Sequence, residues 1–179
     1  MTVDTRARSP LAGRGADLAR VGGRELALLA QVSLRLEVRE ALGPHPVLPP
    51  TAPNTWSAID GRELLWLGPD EWLAVGDPGS EREIARWLDE AFGALHRSIV
   101  VVSSNRATIE LEGPDRLHLL TAGCGLDLHP RAWRNGTCAQ TLLGRVPVLI
   151  QERSGATRLF VRPSLAGGLV DWLLAVGER

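Results

Sequence analysis

The stretch from Ser98 to Leu143 reads SIVVVSSNRATIELEGPDRLHLLTAGCGLDLHPRAWRNGTCAQTLL, and its pattern decides the fold class. The unbroken apolar run Ile99-Val100-Val101-Val102 predicts a strand buried on both faces. A Ser-Ser-Asn turn follows at 103–105. Ala107, Ile109 and Leu111 then alternate with Arg106, Thr108, Glu110 and Glu112, the period-two signature of a half-buried strand. Gly113-Pro114 stops that strand, and Pro114 suits the first turn of a helix, where a missing N–H costs nothing. The helix should turn Leu117 and Leu120 inward and end near Gly123, a candidate left-handed cap. Beyond His129-Pro130, residues 137–142 have the β-branched and apolar character of a further strand.

The N-terminal flank begins with residues 1–24, rich in Arg, Ala and Gly, with Ser9-Pro10-Leu11 as the only compact signal. They read as an arm without core residues, disordered alone or ordered by something it lies on, and 25–179 as one α+β domain. Val32, Leu34, Leu36 and Val38 alternate with Ser33, Arg35, Glu37 and Arg39, which predicts an amphipathic strand. Pro44, Pro46, Pro49, Pro50 and Pro53 keep the loop 43–56 extended and out of any sheet centre. That loop is either a solvated linker or a wrap around the domain or a partner, since Trp56 follows it. Glu63–Leu67 and Glu71–Val75 form a hairpin across Gly68-Pro69-Asp70.

Ser80 and Glu83 make a capping-box pair opening a helix, with Ile84, Trp87, Leu88, Ala91 and Leu95 on one face. On the C-terminal flank, Val146–Gln151 and Thr157–Arg162 form a second hairpin across Ser154-Gly155, and Pro147 argues for an edge or a bulge. A last helix carries Leu165, Leu169, Trp172, Leu173 and Val176, weakened by Gly167-Gly168 and capped by Gly177. A hairpin followed by a helix with a central Trp thus occurs at 63–95 and again at 146–176. The expected architecture is α+β: a largely antiparallel sheet with helices on one face, built from repeated hairpin–helix units, ferredoxin-like in spirit.

Composition limits the chemistry. The 179 residues are 44% hydrophobic with a net charge of −1, which gives no electrostatic footprint for nucleic acid or an anionic membrane. All 20 basic residues are arginine, and tyrosine is absent, so Schiff-base lysine, phosphate-loop lysine and tyrosine acid chemistry are excluded. Cys124 and Cys138 with no signal peptide point to a reduced, cytoplasmic setting. Cys124, His129 and Cys138 have no common zinc-ligand spacing. His45, His96, His118 and His129 have neither a sequence-adjacent nucleophile nor metal spacing, and Ser103-Ser104-Asn105-Arg106 offers anion donors or simply a polar turn.

Several motifs in fixed order add a family resemblance. Residues 103–115, SSNRATIELEGPD, resemble the heart of the gamma-subunit family of heterotetrameric sarcosine oxidases. So do Leu65–Leu73, LWLGPDEWL, with Asp127–Arg131, DLHPR, and Gly136–Thr141, GTCAQT. Ser9-Pro10-Leu11 and Asn54-Thr55-Trp56 match the family's early landmarks. More distantly, Ile109–Leu173 is similar to the folate-binding aminomethyltransferase superfamily, which carries an acidic pair after the strand matching Thr141-Leu142-Leu143. Here Gly144-Arg145-Val146-Pro147-Val148 offers no carboxylate, and Gly136–Gln140 departs from the iron–sulfur-maturation signature.

The resemblance implies a non-catalytic subunit of a complex that demethylates sarcosine to glycine, yielding hydrogen peroxide and either formaldehyde or methylene-tetrahydrofolate. It places FAD, FMN, NAD, zinc and tetrahydrofolate on alpha, beta and delta partner subunits and none on this chain. Pro10, Leu11, Trp56, Arg106, His129 and Trp133 are the expected partner-facing residues. The alternative is a free-standing folate-dependent transferase or iron–sulfur maturation protein.

Overall fold

The computed structural model describes residues 8–26, 28–37 and 47–178. In chain order its strands are β1 (Gly23–Glu25), β2 (Ala30–Leu36), β3 (Trp56–Ile59), β4 (Arg62–Gly68), β5 (Glu71–Gly76), β6 (Arg97–Val101), β7 (Ala107–Glu112), β8 (Cys138–Leu143), β9 (Val146–Arg153) and β10 (Ala156–Val161). The helices are α1 (Gly15–Arg20), α2 (Glu81–Phe92), α3 (Arg116–Thr121) and α4 (Pro163–Gly177). None is long and apolar enough to cross a membrane.

The strands form two five-stranded sheets rather than the single sheet expected, in the orders β1-β7-β10-β9-β8 and β3-β4-β5-β2-β6. The hairpin–helix echo is therefore divided, with β4-β5-α2 in the second sheet and β9-β10-α4 in the first. Each sheet has one face under helices. Val32, Leu34, Leu64 and Trp72 pack on Ile84, Leu88 and Phe92 of α2. Ile109, Leu111, Ile150 and Leu159 pack beneath Leu18, Leu120, Leu169 and Leu173 of the other helices. The remaining faces meet through Leu65, Leu73 and Val75 on one side and Cys138, Leu149 and Phe160 on the other. Periodicity marks a strand's two faces but not what covers them, so the sequence could not distinguish water from a second sheet.

The apolar run Ile99–Val102 is a correction. It supplies β6, an edge strand, and Val100 and Val101 are each 51% exposed rather than buried on both faces. Only β2 pairs with it among the described residues. The N-terminal arm is another. Leu11 and Leu18 lie in the core over the first sheet, and β1 extends that sheet by pairing Gly23 with Leu111. Two well-spaced leucines suffice where a helix-backed core is already waiting. Residues 1–7, and the Val38, Arg39, Pro44, His45 and Pro46 features, lie outside the described residues.

Residues 47–56 wrap the domain. Val47 is buried against the second sheet, and the Pro50 carbonyl accepts from Trp72 Nε1 at 2.7 Å. Ser80 does precede α2, but its hydroxyl donates to the Asp77 carbonyl at 2.6 Å instead of capping the helix. Pro147 sits in an interior strand, one residue past the end of the β10 ladder at Val161↔Val148, so it breaks no pairing there. Neither Gly123 nor Gly177 is a left-handed cap. A Cβ on Gly123 would lie 2.4 Å from the Trp172 ring, and one on Gly177 would lie 3.0 Å from Val21. Both are glycine for closeness, not for dihedral freedom.

Candidate functional site

Glu110 and Thr108 alternate with core residues, and the sequence assigns them to the half-buried strand's open face. Both are buried, because that face meets the second sheet. The result is a polar seam between the sheets. Arg158 on β10 donates from Nε to Glu110 Oε2 at 2.9 Å and from Nη1 to Glu63 Oε2 at 3.0 Å. Gln151 Nε2 donates to the same Glu63 oxygen at 2.8 Å. Arg153 pairs with Glu63 and Arg24 with Glu110, so each carboxylate faces two guanidiniums. Charges taken this far out of water persist only when paired and hydrogen-bonded.

A second cluster sits under the helices of the first sheet. Glu152, 3% exposed, pairs with Arg116 and accepts from Trp133 Nε1 at 3.1 Å and Thr157 Oγ1 at 2.5 Å. Trp56 Nε1 donates to the Glu152 backbone carbonyl at 2.8 Å, and the Arg153 guanidinium lies 5.5 Å from the Trp56 ring centroid. The motifs Asn54-Thr55-Trp56 and Gly136-Thr137-Cys138 also meet directly: Trp56 N donates to Gly136 O and Cys138 N to Asn54 O, both at 2.9 Å. This backbone bridge joins the margins of the two sheets.

Of the residues singled out from sequence, Trp56 and Trp133 thus converge on Glu152. Leu11, at 2% exposure, and Trp133, at 7%, give their side chains to this chain's own core. Pro10 is exposed nearby. His129 is exposed, its Nδ1 accepting from Arg131 N at 3.2 Å in a local turn. Arg106 is half-buried and has neither a hydrogen bond nor an ion pair from its guanidinium among the described residues. Sequence reading missed Glu63, Glu110, Glu152 and Arg158. The one available signal was the recurrence of opposite charges on strand faces assigned to solvent.

The reactive side chains are held quietly. The Cys138 thiol is fully buried and donates to Thr55 O at 3.2 Å, and burial pushes its pKa up to about 12. Such a thiol is no nucleophile near neutrality. Cys124 Sγ lies 3.9 Å from Thr141 Oγ1. A cleft of about 800 Å³ opens between α3, α4 and residues 20–22. Its two arginines turn away to carboxylates, Arg116 to Glu152 and Arg20 to Glu178. No group of three or more His, Cys, Asp or Glu among the described residues is placed for a metal ion. Gly144 lies under the Trp172 ring, and the following residues Arg145-Val146-Pro147-Val148 bring no carboxylate to this turn.

Known proteins resemble this arrangement along most of its length. Residues 30–177 match the sarcosine oxidase, gamma subunit family. Sarcosine oxidase subunit gamma of Corynebacterium sp. (strain P-1) is 33% identical over 171 residues, 90% of this chain and 82% of that protein. Its counterpart from Arthrobacter sp. is 34% identical over 161 residues, 84% of this chain and 77% of that protein. A chain of the heterotetrameric sarcosine oxidase of Corynebacterium sp. U-96, solved in complex with pyrrole 2-carboxylate, superposes with a TM-score of 0.83. That match has 28% identity and covers 96% of this chain and 95% of that one. Aminomethyltransferase T of the glycine cleavage system from Bartonella henselae shares the fold, with a TM-score of 0.64 at 14% identity over 92% of this chain and 49% of that one. The family match across residues 30–177, with a third of residues identical to a relative over nine-tenths of the chain, means that this chain belongs to the sarcosine oxidase gamma subunit family.

Proposed function

We propose that the chain is a non-catalytic subunit of a heterotetrameric sarcosine oxidase. The complex would oxidise the N-methyl group of sarcosine by two electrons and reduce oxygen to hydrogen peroxide. With water, this releases glycine and formaldehyde, or the one-carbon unit passes to tetrahydrofolate as the methylene derivative. FAD, FMN, NAD, zinc and tetrahydrofolate belong on the alpha, beta and delta subunits in this reading. The observation that carries it is the use made of the buried carboxylates. Glu110 and Glu152 are both held by arginines and joined to hydrogen-bond donors, an arrangement that fixes structure rather than moving protons.

The test co-expresses the chain with the other three subunits and changes His118→Gln, His129→Gln, Cys124→Ser and Cys138→Ser singly. Turnover is normalised to flavin in the purified complex. A scaffold subunit predicts near-parental turnover per flavin, with losses confined to assembly yield or stability. A drop of ~100-fold or more with flavin content and assembly intact would place acid–base or nucleophilic chemistry here.

A further inference from the structure

Arg106 departs from the rule that the other half-buried arginines follow. Arg14, Arg62, Arg97, Arg116, Arg153 and Arg158 each hold a carboxylate. Arg106 holds none among the described residues. Glu71, the carboxylate that acts on it electrostatically, is bound to Arg35 at 2.8 Å, and Arg162 is its like-charged neighbour. Burial and Arg162 press the Arg106 pKa below its ordinary value, yet a guanidinium remains a cation at neutral pH. A desolvated cation beside a second cation is costly unless an anion arrives.

Its surroundings are open to one. Gln31 Nε2 donates to the Arg106 carbonyl at 3.2 Å, which sets Arg106 against the inner face of β2. Gln31, Ser33 and Arg35 share that face, since Val32, Leu34 and Leu36 face α2. Across the ladder, Ser33 pairs with Val100 of β6, so the exposed Val100 lies on the same face. No strand lies beyond β6 among the described residues. Arg106 follows β6 by five residues, through the 3-10 turn Ser103–Asn105. An unpaired cation, a neighbouring cation and an apolar strand edge therefore occupy one margin of the inter-sheet seam.

We propose that Arg106, assisted by Arg162, receives an aspartate or glutamate of a partner subunit, carried on an extended segment lying along the apolar edge of β6. An added strand would satisfy the free backbone groups of β6 and cover Val100 and Val101. The carboxylate would complete Arg106, which is half-buried and unpaired among the described residues. This inference rests on the reading of the chain as a subunit of a complex.

Two measurements on the co-expressed complex test it. Arg106→Met should weaken assembly at least ~30-fold while leaving the melting temperature of the isolated chain unchanged or higher, because it removes an uncompensated charge. Arg162→Glu, at an exposed position, should weaken assembly in the same direction without touching the core. The chain contains no lysine, so Arg106→Lys introduces its first side-chain amine. Zero-length carbodiimide coupling followed by peptide mass spectrometry should then join that amine to a partner acidic residue. Parental assembly of Arg106→Met and Arg162→Glu would overturn the proposal while the subunit reading stands. Coupling of the introduced amine solely to carboxylates of this chain would do the same. Failure of the parental chain to co-purify with the other subunits would overturn both.

Discussion

Arg158 holds Glu63 and Glu110 at once, with Nη1 3.0 Å from a Glu63 oxygen and Nε 2.9 Å from a Glu110 oxygen. Glu63 belongs to β4 and Glu110 to β7, so one guanidinium joins the two sheets. Among the described residues, apolar contact between the inner faces is a small cluster around Leu65, Leu73 and Phe160. Beside it, the ion pairs fix how the sheets are placed. Arg is suited to this because its planar fork can serve two carboxylates simultaneously.

Arg158→Met should cost about 3–5 kcal/mol, the price of leaving buried carboxylates short of a partner. Adding Glu110→Gln to that variant should recover part of the loss, since one uncompensated charge disappears. Denaturant unfolding of the two variants against the parent measures both values. A loss under ~1 kcal/mol for Arg158→Met would show that Arg24 and Arg153 carry the seam without it.

Thr108 should respond in the opposite direction. Thr108 is 2% exposed, and its Oγ1 has no hydrogen-bond partner among the described residues. Thr108→Val keeps the shape and removes the orphaned hydroxyl, so stability should hold or rise by about 1 kcal/mol. A clear fall in the unfolding midpoint would mean that the hydroxyl has a partner in solution.

The glycines of α4 and of the Trp172 contact should separate cleanly. Nothing lies within 4 Å of a Cβ placed on Gly167 or Gly168. Alanine there should stabilise by roughly 0.8–1 kcal/mol per site through helix propensity. Gly123→Ala should instead destabilise by about 1–3 kcal/mol, because the new methyl meets Trp172 at 2.4 Å. Thermal melts of the three single variants, read side by side, would reveal any reversal of sign.

Cys138 gives a pH dependence. Its thiol titrates near 9.0 when unperturbed and at about 12 in the fold, so the folded chain keeps the proton longer than the unfolded one. Stability should therefore be intact below pH 9 and decline progressively as pH rises towards 12. Cys138→Ala should flatten that part of the curve. At pH 8 a thiol reagent should modify partly exposed Cys124 well before Cys138, and equal rates would contradict the burial.

Much of the chain was legible in order. The hairpins around Gly68-Pro69-Asp70 and Ser154-Gly155, the helix from Glu81 and the strand from Ala107 all form where local periodicity put them. Local pattern succeeds there because turn chemistry and a 2.0 or 3.6 repeat are properties of neighbouring residues. The site was less legible. Trp56 and Trp133 stood out as large aromatics, but nothing in their spacing showed that both would end on Glu152. Leu11 gave no sign that a core waited for it.

The sequence by itself determined the hairpins, the strand from Ala107, the two long helices, the antiparallel α+β class, the repeated hairpin–helix unit and, through its motifs, the family, but not α1, β1 or β3. Tertiary structure decided that these units would divide between two sheets. It set Ile99–Val101 in a strand at the edge of its sheet among the described residues, and buried Glu110 against Arg158 rather than leaving it in water. The physical reason is that a strand's alternation records two faces without recording their neighbours. Charge pairs between β4, β7 and β10 join residues 48 to 95 positions apart, a distance over which no local pattern reaches.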